Sequence, residues 1–201
     1  NRCILTGRDV SSRYTRRGYE EYRKIAEYIA RMSWQKKGNY MVFFPSYRLM
    51  EDVLQVYEEE FSVDWVRCVC QTPDMTEQER EGFLEEFQER EGTLVGFCVL
   101  GGIFSEGVDL TGESLIGAVI VGTGLPQIGS QREILKEYYD KKNHCGFDYA
   151  YRYPGMNKVL QAAGRVIRTK EDKGVILLLD DRFWDRDYQE IFPREWQDRT
   201  G

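Results

Sequence analysis

Two uninterrupted apolar runs, Thr93-Leu-Val-Gly-Phe-Cys-Val-Leu100 and Ile116-Gly-Ala-Val-Ile-Val-Gly122, decide the fold class of this chain. Neither run alternates with polar residues, which is typical of strands buried on both faces of a parallel sheet. Three further apolar runs predict strands at residues 40–44, 65–70 and 174–179. We therefore expect a mainly parallel central sheet with helices packed on both of its faces.

Segments with helical spacing of apolar residues separate the predicted strands. The spacing predicts helices over residues 15–34, 49–57 and 156–167, and the capping box Thr76-x-x-Glu79 predicts the start of another. Strands that alternate with helices indicate an α/β sandwich, in which functional groups collect in loops at the carboxyl ends of strands. The loops expected there are 45–48, 101–109, 122–127 and 180–183.

Length and composition predict one globular domain over residues 1–201. Of the 201 residues 41% are hydrophobic and 31% are charged, which excludes a disordered or collagen-like chain. No internal repeat or Pro/Gly/Ser-rich linker divides the sequence, and no run approaches the roughly 20 apolar residues of a membrane span. We expect a soluble cytoplasmic protein without membrane contact, associated with the nucleoid if bacterial and nuclear if eukaryotic.

The charges are unevenly distributed along the chain. The net charge is −6, yet residues 1–40 hold ten Lys/Arg against four Asp/Glu, whereas residues 51–93 hold three against fourteen. Overall acidity argues against a protein that coats nucleic acid by charge alone, but a local basic surface remains open. The acidic segment is interpreted as solvated helix faces.

Cysteine and histidine usage argues against a metal site or thiol chemistry. Five cysteines occur without CxxC spacing, and His144 is the single histidine. Cys68 and Cys70 lie two apart in a predicted strand and so share one face. We expect them to be small buried residues in a reducing compartment.

A glycine-rich segment, Gly101-Gly-Ile-Phe-Ser-Glu-Gly-Val-Asp109, follows directly after a predicted strand. Its glycines permit close backbone approach, and free N–H groups in such turns can bind anions. Glu106 and Asp109 could orient a water, bind a ribose hydroxyl or pair with arginines. The alternative is an ordinary strand-to-helix turn that carries surface acids.

A second candidate segment is Gln161-Ala-Ala-Gly-Arg-Val-Ile-Arg168, near the end of a predicted helix. Arg165 and Arg168 are three apart and Gln161 is four residues before Arg165, so all three are expected on one helix face. Guanidinium groups bind phosphate bidentately and stay charged, as a transition-state clamp requires. A solvated helix end with favourable cations is the alternative. Since no G-x-x-x-x-G-K-[ST] occurs in the chain, a phosphate clamp here would be half of a composite site.

Several blocks together resemble XPD/DinG-type superfamily 2 DNA helicases. The blocks, in chain order, are Ser11-Ser-Arg-Tyr14 with Arg17, Phe43-Phe-Pro-Ser-Tyr47, Phe104-Ser-Glu-Gly-Val-Asp109, Gln161-Ala-Ala-Gly-Arg-Val-Ile-Arg168, Asp172-x-Gly174 and Leu179-Asp-Asp-Arg-Phe183. The first is similar to the family's opening of the second motor domain, and three of the others to its motifs IV, V and VI. The resemblance covers about residues 10–185.

The resemblance implies a RecA-like second motor lobe of an ATP-dependent 5′→3′ DNA helicase, with the P-loop lobe outside this chain. Arg165 and Arg168 would reach the γ-phosphate across the cleft between the lobes, with Arg168 as the arginine finger. Gln161 would sense the nucleotide and contact the first lobe. ATP and Mg²⁺ would be held mainly by that lobe, as would an iron–sulfur cluster where the full-length protein has one.

The same resemblance implies how nucleotide state is coupled to DNA. Glu106, Gly107 and Asp109 would form the coupling segment, and Ser46 and Tyr47 would contact the backbone of single-stranded DNA. The partners would be single-stranded DNA and the first lobe of the same protein, and the family suggests a monomer.

Two questions stay open at the level of sequence. The chain could instead be a nucleic-acid-binding or scaffolding module without catalysis, or the helicase lobe of a helicase–nuclease fusion. The polar segment 129–153 carries six aromatic residues that could either stack on bases or pack over the sheet.

Overall fold

The chain folds around one six-stranded, wholly parallel sheet, as a computed structural model shows for residues 2–88, 91–105, 115–166 and 173–196. The strands are β1 (Arg2–Gly7), β2 (Asn39–Phe44), β3 (Val66–Cys70), β4 (Thr93–Val99), β5 (Gly117–Val121) and β6 (Gly174–Leu179). Their order in the sheet is β1-β6-β5-β2-β4-β3. Because β2, β4 and β5 are buried along their whole length, their continuous apolar runs are explained.

Helices cover both faces of the sheet. They are α1 (Tyr19–Gln35), α2 (Tyr47–Glu60), α3 (Glu77–Glu86), α4 (Ser130–Asn143), α5 (Tyr153–Ala163) and α6 (Arg186–Gln189). Apolar residues of α1 and α2 fill one core cluster, and those of α3, α5 and the segment after β6 fill the other. This three-layer α/β arrangement is the RecA-like fold that the sequence predicted.

The differences from the sequence prediction lie at the start of the first helix and in segments with weak periodicity. A 3₁₀ turn occupies Tyr14–Arg16, so α1 begins at Tyr19 and not near Thr15, after Gly18 as its N-cap residue. The strand β1 and the helix α4 were not predicted. Strand β1 lies at the sheet edge beside β6, and α4 has no buried residue, so neither carries a strong hydrophobic pattern.

Helix α5 begins earlier and ends earlier than predicted. It runs from Tyr153, with Pro154 in its first turn, and ends at Ala163. Arg165 and Val166 then donate backbone bonds to Ala162 and Ala163, three residues back, which tightens the chain out of the helix. Arg165 therefore lies beyond the helix, and the expectation that it shares a helix face with Gln161 is wrong.

Cys68 also departs from expectation. It is exposed on the edge strand β3, whereas Cys70 is half-buried and Cys98 fully buried. The described cysteines form no disulfide. Within the described ranges no group of three or more His, Cys, Asp or Glu is placed to hold a metal ion, and no helix there is long and apolar enough to cross a membrane.

Candidate functional site

The four loops singled out from the sequence follow the carboxyl ends of β2, β4, β5 and β6. Because all strands are parallel, these ends meet at one edge of the sheet, where Phe44 pairs with Val99 and Val121 with Leu179. We call this the carboxyl edge. At the carboxyl edge, blocks that are distant in sequence form one continuous surface.

Ser46 and Tyr47 lie where β2 passes into α2. Ser46 is the N-cap residue of α2, and its hydroxyl accepts a hydrogen bond from the Leu49 N–H (3.3 Å). Tyr47 is half-buried, and its phenol oxygen accepts a hydrogen bond from Gln71 Nε2 (3.0 Å). Burial raises the pKa of Tyr47, so the phenol stays protonated and keeps an O–H to donate.

Gln71 is a functional candidate that the sequence did not reveal. It directly follows β3, is buried, and its Oε1 accepts a hydrogen bond from the Val99 N–H (3.0 Å) while Nε2 bonds Tyr47. Its own N–H donates to the Phe97 carbonyl (2.8 Å). One amide thus joins the ends of β3 and β4 to the start of α2. A single glutamine after a strand carries no sequence signal that would predict this role.

The glycine-rich turn after β4 is described as far as Ser105, and Glu106, Gly107 and Asp109 lie outside the described residues. Gly101 has a φ of +69°, a conformation that favours glycine. Phe104 is buried and stacks on Phe83 with ring centroids 4.2 Å apart, while Ser105 Oγ donates to the Gly102 carbonyl (2.9 Å). The described part of the glycine-rich turn, up to Ser105, is therefore packed against the core.

The structure brings this turn together with the arginine block. Arg165 Nε donates to the Ser105 carbonyl (3.1 Å), joining two segments that are 60 residues apart. Gln161 is exposed in the last turn of α5. Arg168 lies outside the described residues. The blocks that resemble motifs V and VI thus contact one another.

A buried polar network joins the first and last loops of the carboxyl edge. Asp180, at the end of β6, is fully buried and accepts hydrogen bonds from the Ser12 N–H (2.9 Å) and hydroxyl (2.6 Å). It also forms an ion pair with Arg182 (2.7 Å). Burial alone would raise the pKa of Asp180, but Arg182 and Ser12 outweigh it and hold the pKa below its ordinary value. This network joins the Leu179-Asp-Asp-Arg-Phe183 block to the Ser11-Ser-Arg-Tyr14 block.

The aromatic residues of 129–153 pack largely against one another. Tyr139 and Tyr149 stack with ring centroids 4.1 Å apart, and Tyr151 is buried. Tyr138 and Tyr153 make edge contacts to this pair and remain exposed in part. Since α4 has no buried residue, these ring contacts help to hold it against the chain around residues 148–153.

Comparison with known proteins identifies a helicase likeness. The family model described as a helicase C-terminal domain matches residues 29–199. The ATP-dependent DNA helicase XPD of Sulfolobus acidocaldarius is 30% identical over 192 residues, covering 90% of this chain and 31% of that protein. A regulator of telomere elongation helicase 1 homolog of Drosophila erecta is 29% identical over 203 residues, covering 92% and 20%. The chain therefore spans about a third or less of the length of these two relatives.

Solved structures show the same likeness. An XPD helicase structure superposes with a TM-score of 0.76 at 26% identity, covering 94% of this chain and 33% of that one. An XPD structure described as apo gives a TM-score of 0.74 at 25% identity, covering 94% and 37%. Both superpositions extend over nearly all of this chain, so the likeness is one of the overall fold.

Proposed function

The chain belongs to the helicase C-terminal domain family of XPD/DinG-type superfamily 2 helicases, and from that premise we propose that it is the second motor lobe of an ATP-dependent DNA helicase. In this role it completes a composite ATPase site and grips single-stranded DNA with 5′→3′ polarity. The P-loop lobe would lie outside these 201 residues, in the same protein, and would supply the phosphate cradle and the Mg²⁺ ligands.

The observation that carries this proposal is the contact between Arg165 and Ser105. Arg165 Nε donates to the Ser105 carbonyl, so the arginine block is held beside the turn that leads into residues 106–109. A guanidinium fixed through Nε presents its planar fork in a defined direction, which suits bidentate contact with a phosphate. Arg168, three residues on, would act as the arginine finger and stabilise charge on the transferring phosphoryl group.

The DNA contact is proposed at the start of α2. The Tyr47 phenol can donate its proton to a phosphate oxygen because its own oxygen accepts from Gln71. The hydroxyl of Ser46, the preceding residue, accepts from the Leu49 N–H and keeps its own O–H to donate. Such contacts position a strand without reading its sequence, as a translocating motor requires.

The coupling between the two sites is proposed to run through Gln71. This residue bonds Tyr47 at the DNA side and the Val99 N–H at the end of β4, just before the glycine-rich turn. A nucleotide-dependent displacement of that turn, through Glu106, Gly107 and Asp109, would therefore alter the position of Tyr47. Opening and closing of the two lobes during hydrolysis would then move single-stranded DNA past the protein.

Steady-state ATP turnover of the full-length protein tests this proposal. Arg168→Ala and Arg165→Ala should each lower turnover by about 10³-fold, near the lower end of arginine-finger losses. The two losses should not add, because both groups serve one transition state. Tyr47→Ala should weaken single-strand binding and DNA stimulation while sparing basal hydrolysis. The 201-residue chain alone should hydrolyse no ATP, because it lacks the phosphate cradle.

Arg186→Ala is the matched control, since Arg186 is an exposed arginine whose ion pair is with Glu190, four residues on. Turnover is to be expressed per folded molecule, with melting temperatures measured on every variant. Parent-level hydrolysis by Arg168→Ala would contradict the finger assignment. A lower melting temperature with turnover per folded molecule preserved would show that the two arginines serve the fold through ion pairs and not the transition state.

A further inference from the structure

An exposed basic loop lies beside the proposed DNA contact. Residues 13–17, Arg-Tyr-Thr-Arg-Arg, contain a 3₁₀ turn with no buried residue. Tyr14 is 85% exposed, the highest exposed fraction among the large apolar and aromatic side chains of the described residues. A single exposed ring is common on protein surfaces, so the exposure of Tyr14 indicates a ligand contact only in combination with its surroundings.

The surroundings of Tyr14 are cationic. The Arg17 guanidinium lies 5.7 Å from the Tyr14 ring centroid, and its Nε donates to the Ser12 carbonyl (3.2 Å). Arg13 and Arg16 are each paired with a carboxylate, Asp181 at 3.5 Å and Glu21 at 2.7 Å. Arg17 has no such carboxylate partner within the described part of the chain, which leaves its charge available to an anion.

Hydrogen bonds of the residues just before the loop fix its position. Ser12 is bonded to buried Asp180 through both its N–H and its hydroxyl, and the Ser11 N–H donates to Glu21 (2.9 Å). These buried bonds fix the backbone immediately before Arg13. A preorganised loop loses little conformational entropy when it binds a ligand.

The loop is also adjacent to the segment that carries Ser46 and Tyr47. A Cβ placed on Gly122, whose φ is +83°, would lie 2.6 Å from Ser12 Oγ and 3.5 Å from Pro45 Cγ. Both loops therefore pack on the same glycine, at the carboxyl end of β5.

A second link between the loop and α2 runs through Tyr22. Burial raises the pKa of Tyr22 and Asp52 adds to the rise, whereas the charges of Arg17 and Arg48 both lower it. Arg48 directly follows Tyr47, is largely exposed, and pairs with Asp52 at 3.3 Å. The charges of Arg17 in the loop and Arg48 in α2 thus act on the same phenol.

We infer that Tyr14 and Arg17, together with Arg48, form a second contact for single-stranded DNA that continues the contact of Ser46 and Tyr47. One base would stack on the exposed Tyr14 ring, and the guanidiniums of Arg17 and Arg48 would bind successive phosphates. Single-stranded DNA suits this surface because every base has a face that can stack on tyrosine. The inference rests on the proposed function and names a part of its DNA track.

Binding of fluorescent oligothymidylates of graded length to the full-length protein tests the inference. Tyr14→Ala should weaken binding about 5-fold or more for long strands, the lower end of stacking contributions per base. It should leave short strands, which reach only Tyr47, unaffected, and Tyr14→Phe should restore the parent affinity. Arg17→Ala should reduce the slope of log affinity against log salt by about 0.7, the value for one phosphate contact on a single strand.

Trp65→Ala and Arg31→Ala are the matched controls. Trp65 is an exposed aromatic at the opposite, amino end of the strands, and Arg31 is a largely exposed arginine on α1. Neither should change affinity or salt slope. Parent-like binding of long strands by Tyr14→Ala and Arg17→Ala, with Tyr47→Ala still weakened, would overturn this inference alone. Parent-like binding by all three variants would overturn the proposed DNA contact as well.

Discussion

Replacing Asp180 by asparagine should destabilise this protein strongly, although the change is nearly isosteric. Within the described residues, five hydrogen bonds point at the two carboxylate oxygens of Asp180, and their donors belong to Ser12 and Arg182. Asparagine replaces one oxygen by an NH₂ group, which would face N–H or O–H donors and not acceptors. The change also leaves the Arg182 guanidinium, whose side chain is only 15% exposed, without its carboxylate.

The size of the expected loss of stability follows from the burial of the Asp180–Arg182 ion pair. Breaking a buried ion pair by removal of one partner costs about 3–5 kcal/mol of unfolding free energy. For a domain of this size 1 kcal/mol corresponds to roughly 2–4 °C in melting temperature, so a decrease of about 6–20 °C is expected. The same substitution at neighbouring Asp181 should cost less than about 1 kcal/mol, because that carboxylate is 35% exposed and its ion pair is long.

Thermal and urea unfolding of the parent, Asp180→Asn and Asp181→Asn at neutral pH would measure these differences. The double variant Asp180→Asn/Arg182→Met should lose less stability than the sum of the two single changes, because it removes the uncompensated charge. An Asp180→Asn protein that melts within about 2 °C of the parent would refute the reasoning, because a buried guanidinium without its carboxylate should lower the unfolding free energy by more than that.

Two further predictions concern pH and coupling. Because the pKa of Asp180 is lowered in the folded protein, its ionised form stabilises the fold at pH values above the ordinary carboxyl pKa of 3.8, and this contribution is lost as the pH falls through the folded value. The urea midpoint of the parent should therefore fall more steeply below about pH 4 than that of Asp180→Asn, and parallel curves would contradict this. Gln71→Leu should lower stability by about 1–3 kcal/mol, because the buried Val99 N–H loses its partner. In the full-length protein it should also reduce DNA stimulation of ATP turnover more than basal turnover, whereas equal losses of both would argue against a coupling role.

Much of the fold could be predicted because its signals are local. The capping box at Thr76 is present, with the Thr76 hydroxyl accepting from the Glu79 N–H and the Glu79 carboxylate accepting from the Thr76 N–H. The buried strands were recognised by their apolar runs, and the loops at their carboxyl ends followed from the parallel arrangement. Strand β1 was missed because, at the edge of the sheet, it carries no strong hydrophobic pattern.

The candidate site was predicted only in part. Ser46, Tyr47 and Arg165 were identified from family-like blocks, and the structure places them on or near one edge. Gln71, which bonds Tyr47, was not identified, because a single buried glutamine has no pattern of its own in a sequence.

The sequence by itself determined the positions of most helices and strands, the α/β class and the helicase-like blocks, because these depend on residues within a few positions of one another. Only the tertiary structure decided which polar groups are buried and what they join. Gln71 bonds a backbone N–H 28 residues away, and Asp180 bonds Ser12 across 168 residues. Such pairs become stable only when folding removes both groups from water, so their energy depends on a three-dimensional neighbour that no local pattern specifies.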